Sequence, residues 1–385
     1  MNKHKKLRVG IVSANWGALA HLPAWRALSD DVDVTAICTS RPETAQAAAQ
    51  QFNVERPFSD YEAMCADPGI DIIDAGTTPL LREKIVTVAL RHGKHVVNQL
   101  PFATSGAAAA QLVELQCSQG VVGIGAASIM GLPHLALMKE MIDDGYVGDI
   151  YQVNCSWQLA LYLDIVPGFS YSWFRKAGLG VSVARNFGSH MLHAMRHVAG
   201  PLSSVIANID TKLKTWDIPG EGRLPVATED TCQALIKFAN GASGTLTTSW
   251  TAADSPGFNL QILGSQGRIE LTALRYPDMT SAQLYASKGA PTMSPAGQAL
   301  VIPDRLLSAG GRKIEQPPLD LTLGGQHISI TRLFDNFVQA IRSGTEPLPS
   351  FARAMEVQHL VDALYTSNSS RRWTSVGPDG RARQD

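Results

Sequence analysis

Histidines recur at His190, His193 and His197 in the stretch GLGVSVARNFGSHMLHAMRHVAG, residues 178–200. Offsets of three and seven residues put all three on one face of a helix. Histidine is the side chain best suited to acid–base work near neutral pH. The same face could hold a metal ion, but no fixed carboxylate or cysteine joins it at close spacing, which favours packing and hydrogen bonding over a metal centre. A second cluster, Thr39-Ser40-Arg41, closes an apolar run and meets no carboxylate until Glu43. A guanidinium with two hydroxyls suits a phosphate through charge-assisted hydrogen bonds. The alternative is a solvated arginine that begins a helix.

The elements that must hold these groups fall into two sets. LRVGIVSA (7–14), DVDVTAICTS (31–40), GIDIIDAGTTP (69–79), HVVNQLP (95–101) and VVGIGAAS (121–128) read as short apolar strands. Helical stretches lie between them: His21 to Leu28, ETAQAAAQQF (43–52), EKIVTVALRHG closed by Gly93, and one capped by Thr104 or Ser105 that runs to about Gln119. Strands alternating with helices predict an α/β Rossmann domain built on a doubly wound parallel sheet. At the end of its second strand an acidic residue selects NAD and an arginine accommodates the 2′-phosphate of NADP. With Arg41 there, NADP(H) is the preferred cofactor and NAD(H) remains possible.

After Gly148 the pattern changes. IYQVNCSWQ (150–158), SSVIANIDTKL (203–213), CQALIKFANGASGTLTTSW (232–250) and NLQILGSQGRIEL (259–271) alternate as an antiparallel sheet would, with a hairpin turn at Asn240-Gly241. Helices are expected at 188–199 and roughly 327–343, and 286–318, rich in Pro, Gly and Ser, reads as loop. The expected division is 1–128 for the Rossmann domain and 129–385 for an α+β domain with a large open antiparallel sheet. An uncovered sheet face would leave apolar surface, so a homo-dimer or homo-tetramer joined through 150–158 and 232–271 is expected.

Composition narrows the class. The 385 residues suit two domains, and 45% hydrophobic with 17% charged residues is ordinary for a soluble globular protein. A net charge of −1 gives no reason to expect nucleic acid or an anionic membrane as a partner. The basic start at Lys3, Lys5, Lys6 and Arg8 is followed by no apolar run fit for a signal peptide, and no segment approaches membrane-spanning length. Five widely spaced cysteines argue for reduced thiols in a cytoplasmic protein.

GKHVVNQLP (93–101) closely resembles the G-K-H-V-x-x-E-K-P signature of the glucose–fructose oxidoreductase/inositol dehydrogenase (Gfo/Idh/MocA) family. Gln99 stands at the glutamate position, Leu100 at the lysine and Pro101 at the proline. The resemblance covers nearly the whole chain. His21-Leu22-Pro23-Ala24 matches H-x-P-A, and Thr77-Thr78-Pro79 is similar to the family's turn after the fourth strand. GSQGRIEL (264–271) is similar to a family hairpin, and ITRLFDNFVQAIRSGTEPLPS (330–350) to its C-terminal helix and turn, after which the resemblance implies a further helix at about 352–368 that packs back on the first domain.

The resemblance implies a nicotinamide-dependent oxidoreductase acting on a hydroxyl or carbonyl group of a sugar, cyclic polyol or related ring compound. It places the phosphate loop at Ser13, Ala14, Asn15, Trp16, Gly17 and Ala18, with Ser13, Asn15 and Ala18 at the glycine positions; a plain strand–turn–helix is the competing reading. It puts Thr77, Thr78, Pro79, Asn98 and Gln99 against the cofactor, beside Thr39, Ser40 and Arg41. In the family the lysine moves the proton that accompanies hydride transfer, and Leu100 can neither donate nor accept one. The segment 178–200 resembles G-G-G-x-L-x-D-x-G-x-H-x-x-D, with Asn186 and His193 replacing the aspartates and His190 retained. The resemblance thus implies His190 as proton carrier, Asn186 as its hydrogen-bonding neighbour, and Lys176 as a cation that either swings in for the missing lysine or stays solvated. Tyr162, Tyr171, Trp173 and Arg175 line the substrate pocket or serve as core. Two further readings stand beside the oxidoreductase: a catalytically degenerate nucleotide-binding regulator, similar at N-F-G-S-H to the fungal galactose-regulon repressor, and an NAD(P)-assisted lyase or glycosidase.

Overall fold

The computed structural model describes residues 5–165, 171–289, 297–314 and 327–383. The chain divides into two compact units, Met1–Leu132 with Asp304–Met355, and Pro133–Pro303 with Glu356–Asp385.

The first unit is built on a parallel six-stranded sheet: β1 Leu7–Val12, β2 Val32–Cys38, β3 Arg56–Phe58, β4 Ile72–Ala75, β5 His95–Gln99 and β6 Gly123–Ala126, in the order β3-β2-β1-β4-β5-β6. Strands covered on both faces need continuous apolar runs, and all four residues of β4 are buried. Helices α1 Leu22–Ala27, α2 Pro42–Phe52, α3 Tyr61–Ala66, α4 Pro79–Arg91 and α5 Gly106–Gln119 connect them. Their ends follow local chemistry. Pro42 and Pro79 open α2 and α4, the Asp60 carboxylate accepts from the Glu62 amide, and Ser105 caps α5 by accepting from the Ala108 amide at 3.1 Å. A π-helical turn, Gly17–His21, runs directly into α1. Lys94 of the GKH stretch turns inward and donates to the carbonyls of Asp67 (2.7 Å) and Ile70 (2.8 Å), bracing the entry to β4.

The second unit begins with α6 Pro133–Asp143 and β7 Ile150–Gln158, followed by α7 Ser189–Ala199. Strands β8 Leu202–Asp210, β9 Thr215–Ile218, β10 Gly222–Pro225, β11 Thr231–Phe238, β12 Ser243–Ser249, β13 Gly257–Gly264, β14 Gly267–Ala273, β15 Gln283–Lys288 and β16 Gln298–Ala299 come next. Except for the β9–β10 hairpin they join β7 in a nine-stranded sheet, order β16-β15-β14-β13-β7-β12-β11-β8-β19 once the C-terminal strand β19 Thr374–Ser375 is included. Neighbours run antiparallel save β7 and β12, which are parallel. The hairpin between β11 and β12 turns at Asn240-Gly241, with Gly241 at φ 91°.

Alternation along β11 sends Cys232, Ala234, Ile236 and Phe238 inward and Gln233, Leu235 and Lys237 outward. In register across the outer face lie Leu235, Thr245, Asn154, Gln261, Glu270 and Tyr285. This corrects the expectation of an apolar open face. The outward positions are mostly amide, hydroxyl and carboxylate groups that water solvates as they stand.

The later segments correct the domain division as well. The hairpin β17 Ser308–Ala309 and β18 Arg312–Lys313, α8 His327–Ser343 and the first turn of α9 Phe351–Ser370 belong to the first unit rather than to one C-terminal domain. Phe334 of α8 stacks on Trp25 of α1 with centroids 4.1 Å apart, and Arg342 bonds Asp31. The glycines of β6 make room for α9: a Cβ on Gly123 would lie 2.6 Å from the Phe351 ring, and one on Gly125 would lie 2.6 Å from the Ala354 Cβ. From Glu356 onward α9 belongs to the second unit, where Ser367 Oγ accepts from the Ala207 amide at 3.1 Å and Asn368 Oδ1 from the Ile209 amide at 2.8 Å. Of α9, only residues 351–355 therefore fall in the first unit. Within 286–318, read as loop, the described residues also hold β16 and the β17–β18 hairpin, and 290–296 and 315–318 lie outside the described residues. No described helix is long and apolar enough to cross a membrane.

Candidate active site

In the first unit, the strand order reverses between β1 and β4, and a doubly wound sheet opens its ligand crevice at the carboxyl ends of such a pair. The turns leaving these two strands press together there. A Cβ on Gly76 would lie 3.1 Å from the Gly17 amide nitrogen, and one on Gly17 would lie 2.9 Å from Ile11 Cγ2. Gly17, outside the expected glycine positions, is thus the glycine this turn requires. Ser13 Oγ accepts from the Asn15 amide at 3.1 Å, which closes the turn, while Ala14 and Trp16 are half-buried and Asn15 is exposed. The Thr77 hydroxyl is buried with no partner among the described residues, Thr78 stands at the N-cap position of α4 without a side-chain capping bond, and Pro79 opens the helix. At the end of β2 Thr39 bonds Thr44 (2.6 Å) and the Arg41 carbonyl (3.2 Å), and Ser40 and Arg41 are exposed. A tight turn, an orphaned hydroxyl and an open guanidinium fit a phosphorylated dinucleotide lying across these strand ends.

One buried imidazole joins three of those ends. His21 Nδ1 lies 2.9 and 3.0 Å from the two Asp74 carboxylate oxygens, and Trp25 Nε1 donates to Asp74 Oδ2 at 2.8 Å. On the other side of the ring, Trp16 Nε1 donates to His21 Nε2 at 3.1 Å, and Gln99 Nε2 lies 3.2 Å from the same nitrogen. Gln99 Oε1 accepts from the Leu100 amide at 2.9 Å. His21 and Asp74 are essentially inaccessible, and Phe334 packs edge-on against the imidazole at 5.1 Å. In the sequence, His21 marked only an alignment point. The signal available was Asp74, a lone carboxylate in the apolar strand IIDA.

Below this crevice, Arg82 binds the turns after β4 and β5 together. It donates to Asn98 Oδ1 at 2.9 Å and to the carbonyls of Thr77 and Pro101. Burial pushes its guanidinium down to about 9. Asn98 Nδ2 donates to the Phe102 carbonyl at 2.9 Å, so both ends of this amide are engaged within the protein. Leu100 is buried in the hydrophobic cluster that includes Val96, Phe102, Ala103 and Phe351.

In the second unit, a π-helical turn, Ala184–Gly188, runs without a break into α7. Both π turns thus open helices that carry candidate residues, and such turns are frequent at functional sites. Asn186 is half-buried near the middle of this one, and its carbonyl accepts from Ser189 Oγ at 2.8 Å. The turn is tied down from behind. Ser182 Oγ donates to the Tyr365 hydroxyl at 2.6 Å, and that hydroxyl donates to Glu229 Oε2 at 3.1 Å. The Glu229 carbonyl accepts from the Val183 amide, and Arg185 sits over the Tyr365 ring at 4.6 Å. Burial, aided by Glu229, pushes the Tyr365 phenol up.

His190 is half-buried at the start of α7, and its Nδ1 is enclosed without a hydrogen-bond partner. Burial pushes its imidazolium down to about 4, so the ring is neutral at pH 7. It packs edge-on to Trp157 at 6.0 Å; Trp157 stacks on Phe187, and Tyr276 meets both rings edge-on at 5.6 and 6.0 Å. Tyr276 is a half-exposed phenol that the sequence reading did not single out. Tyr162 stacks on Trp216 at 3.6 Å and is buried, whereas Tyr171 and Trp173 pack on Phe174 and keep some exposure. Arg175 NH1 donates to the Pro225 carbonyl at 3.3 Å. Lys176 is exposed after the short helix Ser172–Arg175, and its backbone amide donates to the Trp173 carbonyl at 3.0 Å. His193 is buried on α7, and among the described residues no group of three His, Cys, Asp or Glu side chains forms a metal site.

The first unit has the six-stranded dinucleotide fold and the second carries a half-buried histidine against aromatic rings, the parts of an NAD(P)-dependent oxidoreductase. The sequence matches the oxidoreductase family with an NAD-binding Rossmann fold over residues 7–127 and the GFO/IDH/MocA C-terminal domain over residues 135–270, and the chain belongs to the GFO/IDH/MocA family. A levoglucosan dehydrogenase of Pseudarthrobacter phenanthrenivorans is 25% identical over 402 residues, covering 97% of this chain and 98% of that protein. A D-apiose dehydrogenase of Paraburkholderia graminis is 21% identical over 370 residues, covering 94% and 88%. A solved structure of levoglucosan dehydrogenase in complex with NADH and levoglucosan shares the fold at a TM-score of 0.84 and 23% identity, covering 97% of this chain and 100% of that one.

Proposed function

We propose that this protein interconverts a hydroxyl and a carbonyl group on a sugar, cyclic polyol or related ring compound, with His190 as the group that handles the hydroxyl proton. When bound, the nicotinamide supplies hydride exchange at its C4 atom. The single observation that carries the reading is the setting of His190: a half-buried imidazole whose Nδ1 has no partner among the described residues, held edge-on to Trp157. A neutral ring can accept the hydroxyl proton, as alcohol oxidation requires, although its low pKa makes it a weak base; the protonated form is a strong acid but is scarcely populated at pH 7, which disfavours the reverse step. Asn186, three and four residues from Ser189 and His190, offers a neutral amide as neighbour, and the exposed Lys176 is the second candidate proton carrier. The sugar names of the relatives support a ring-shaped polyhydroxyl substrate.

NADP(H) is the proposed cofactor over NAD(H). Its support is the exposed Arg41 beside Ser40 and Thr39, with no carboxylate along the chain after β2 until Glu43. The proposed assembly remains a homo-dimer or homo-tetramer through the outer sheet face, an interface that would be mostly polar around the exposed Leu235; a monomer by sedimentation at micromolar concentration would remove it. Five free thiols, four of them buried, support a reducing, cytoplasmic setting.

The deciding experiment follows nicotinamide absorbance across a panel of sugars and cyclic polyols. His190→Ala is expected to cut kcat by about 10²–10⁴ while cofactor affinity stays nearly unchanged. Arg41→Ala is expected to erase most of the preference for NADP(H). Full turnover by His190→Ala would reject His190, and bound cofactor that no substrate ever oxidises or reduces would reject the catalytic reading itself.

A further inference from the structure

We propose that the His21–Asp74 pair is a positioning device for the nicotinamide half of the dinucleotide, holding the Trp16 indole and the Gln99 amide in fixed relation at the crevice. Donor and acceptor roles leave one consistent assignment. The Trp16 indole can only donate, so His21 Nε2 must be an acceptor. Gln99 uses Oε1 to accept from the Leu100 amide, so it turns its NH₂ toward the same nitrogen. The imidazole proton therefore sits on Nδ1, where Asp74 accepts it and also accepts from Trp25. Asp74 touches neither Trp16 nor Gln99 in this network. It acts through the ring, by selecting the tautomer that can receive both.

The three elements joined are the turn after β1, the end of β4 and the end of β5. In a doubly wound sheet the end of β2 reads the adenosine ribose and the pyrophosphate lies at the helix after β1. The nicotinamide half then falls on the β4–β5 side of the switch point, where Gln99 stands. Gln99 and Trp16 are both half-buried, while His21 is 1% exposed. A fixed amide and a fixed indole on either side of the switch present preset geometry to a ligand, with little left to order on binding.

Asp74→Asn tests the role directly. Its carboxamide oxygen takes the Oδ2 place to accept from Trp25, which puts its NH₂ at the Oδ1 place, 2.9 Å from His21 Nδ1, where a donor favours that nitrogen as an acceptor. The proton moves to Nε2, which can no longer receive Trp16 or Gln99, an inversion of the kind produced when the aspartate of a His–Asp pair becomes asparagine. Calorimetric titration of the full chain with NADPH and NADH is compared with AMP and its 2′-phosphorylated form, which carry the adenosine half alone. Affinity for the whole dinucleotide is expected to fall about tenfold while that for the adenosine fragments stays within about twofold. ¹⁵N shifts of the His21 ring should report the changed tautomer. Trp16→Phe and Gln99→Leu remove one arm each with the His21–Asp74 pair intact, so they carry the test should Asp74→Asn not fold, and each should show the same split in milder form.

Equal loss for fragments and dinucleotide would reduce the pair to scaffold, and unchanged affinity in a variant with the altered tautomer would overturn the proposal. The role presupposes a bound dinucleotide: a wild-type chain that binds neither NADPH nor NADH would overturn the cofactor reading and this inference together, whereas binding by wild type with no split in the variants overturns only the inference.

Discussion

The Trp157 indole lies flat on the Phe187 ring, with centroids 3.8 Å apart and planes 4° from parallel. Phe187 belongs to the π turn, and His190 follows three residues later, edge-on to the same indole. The stack therefore sets the height and tilt of the candidate proton carrier. Phe187→Leu keeps the site apolar but gives up the paired rings, and should cost about 1–2 kcal/mol of stability. Steady-state kinetics should show kcat falling with cofactor affinity unchanged, and a variant with wild-type kcat would show that His190 is positioned by α7 alone.

His134 gives the second unit a dependence on acid. It is 5% exposed at the start of α6, its Nδ1 has no partner, and burial holds its imidazolium at about 4 instead of the usual 6.5. Between those values the unfolded chain binds a proton that the folded chain refuses, so stability is lost as pH falls from 6.5 toward 4. For one such group the loss is of order 3 kcal/mol over the full window. His134→Gln cannot titrate, so the gap in denaturation midpoint between neutral and acid pH should narrow. An acid limb as steep as wild type would assign the loss to other groups.

Leu100→Lys would restore the family's side chain but not its surroundings. Leu100 is 5% exposed and packs with Val96, Phe102, Ala103 and Phe351. An ammonium there loses water without gaining a carboxylate, at a cost of about 2–3 kcal/mol. A lower melting temperature and no gain in turnover are expected. A variant of unchanged stability and raised kcat would mean that the new side chain reaches the crevice and works there.

Much of the architecture was legible because strand and helix leave periodic marks. β7 begins and ends where IYQVNCSWQ does, and Ser105 capped α5 as one of two residues expected. α6 escaped the reading although Pro133 opens it and Leu135 and Met138 share a face. The allegiance of α8 was hidden for a different reason: its apolar stripe shows that it packs but not on what, and only Phe334 against Trp25 answers that. Site residues were harder still. His21 and Asp74 are fifty-three positions apart and meet only because β4 lies beside β1. The open face of the sheet was read from topology as apolar, yet its outward residues, Thr245, Asn154 and Gln261 among them, were in the alternation all along.

A π turn holds one residue more than the α-helical turn it replaces. Gly17–His21 and Ala184–Gly188 each lead straight into a regular helix, so each marks a place where a single residue can be dropped and an ordinary helix closed. Such a deletion would improve local hydrogen bonding and still be ruinous, because everything upstream would swing by about 100° around the axis. Trp16 would leave the His21 imidazole in one case, and Asn186 would leave its present bearing relative to His190 in the other. Chain length at these two points is thus as tightly constrained as side-chain identity, and a one-codon loss there would do what no single substitution at an exposed position could.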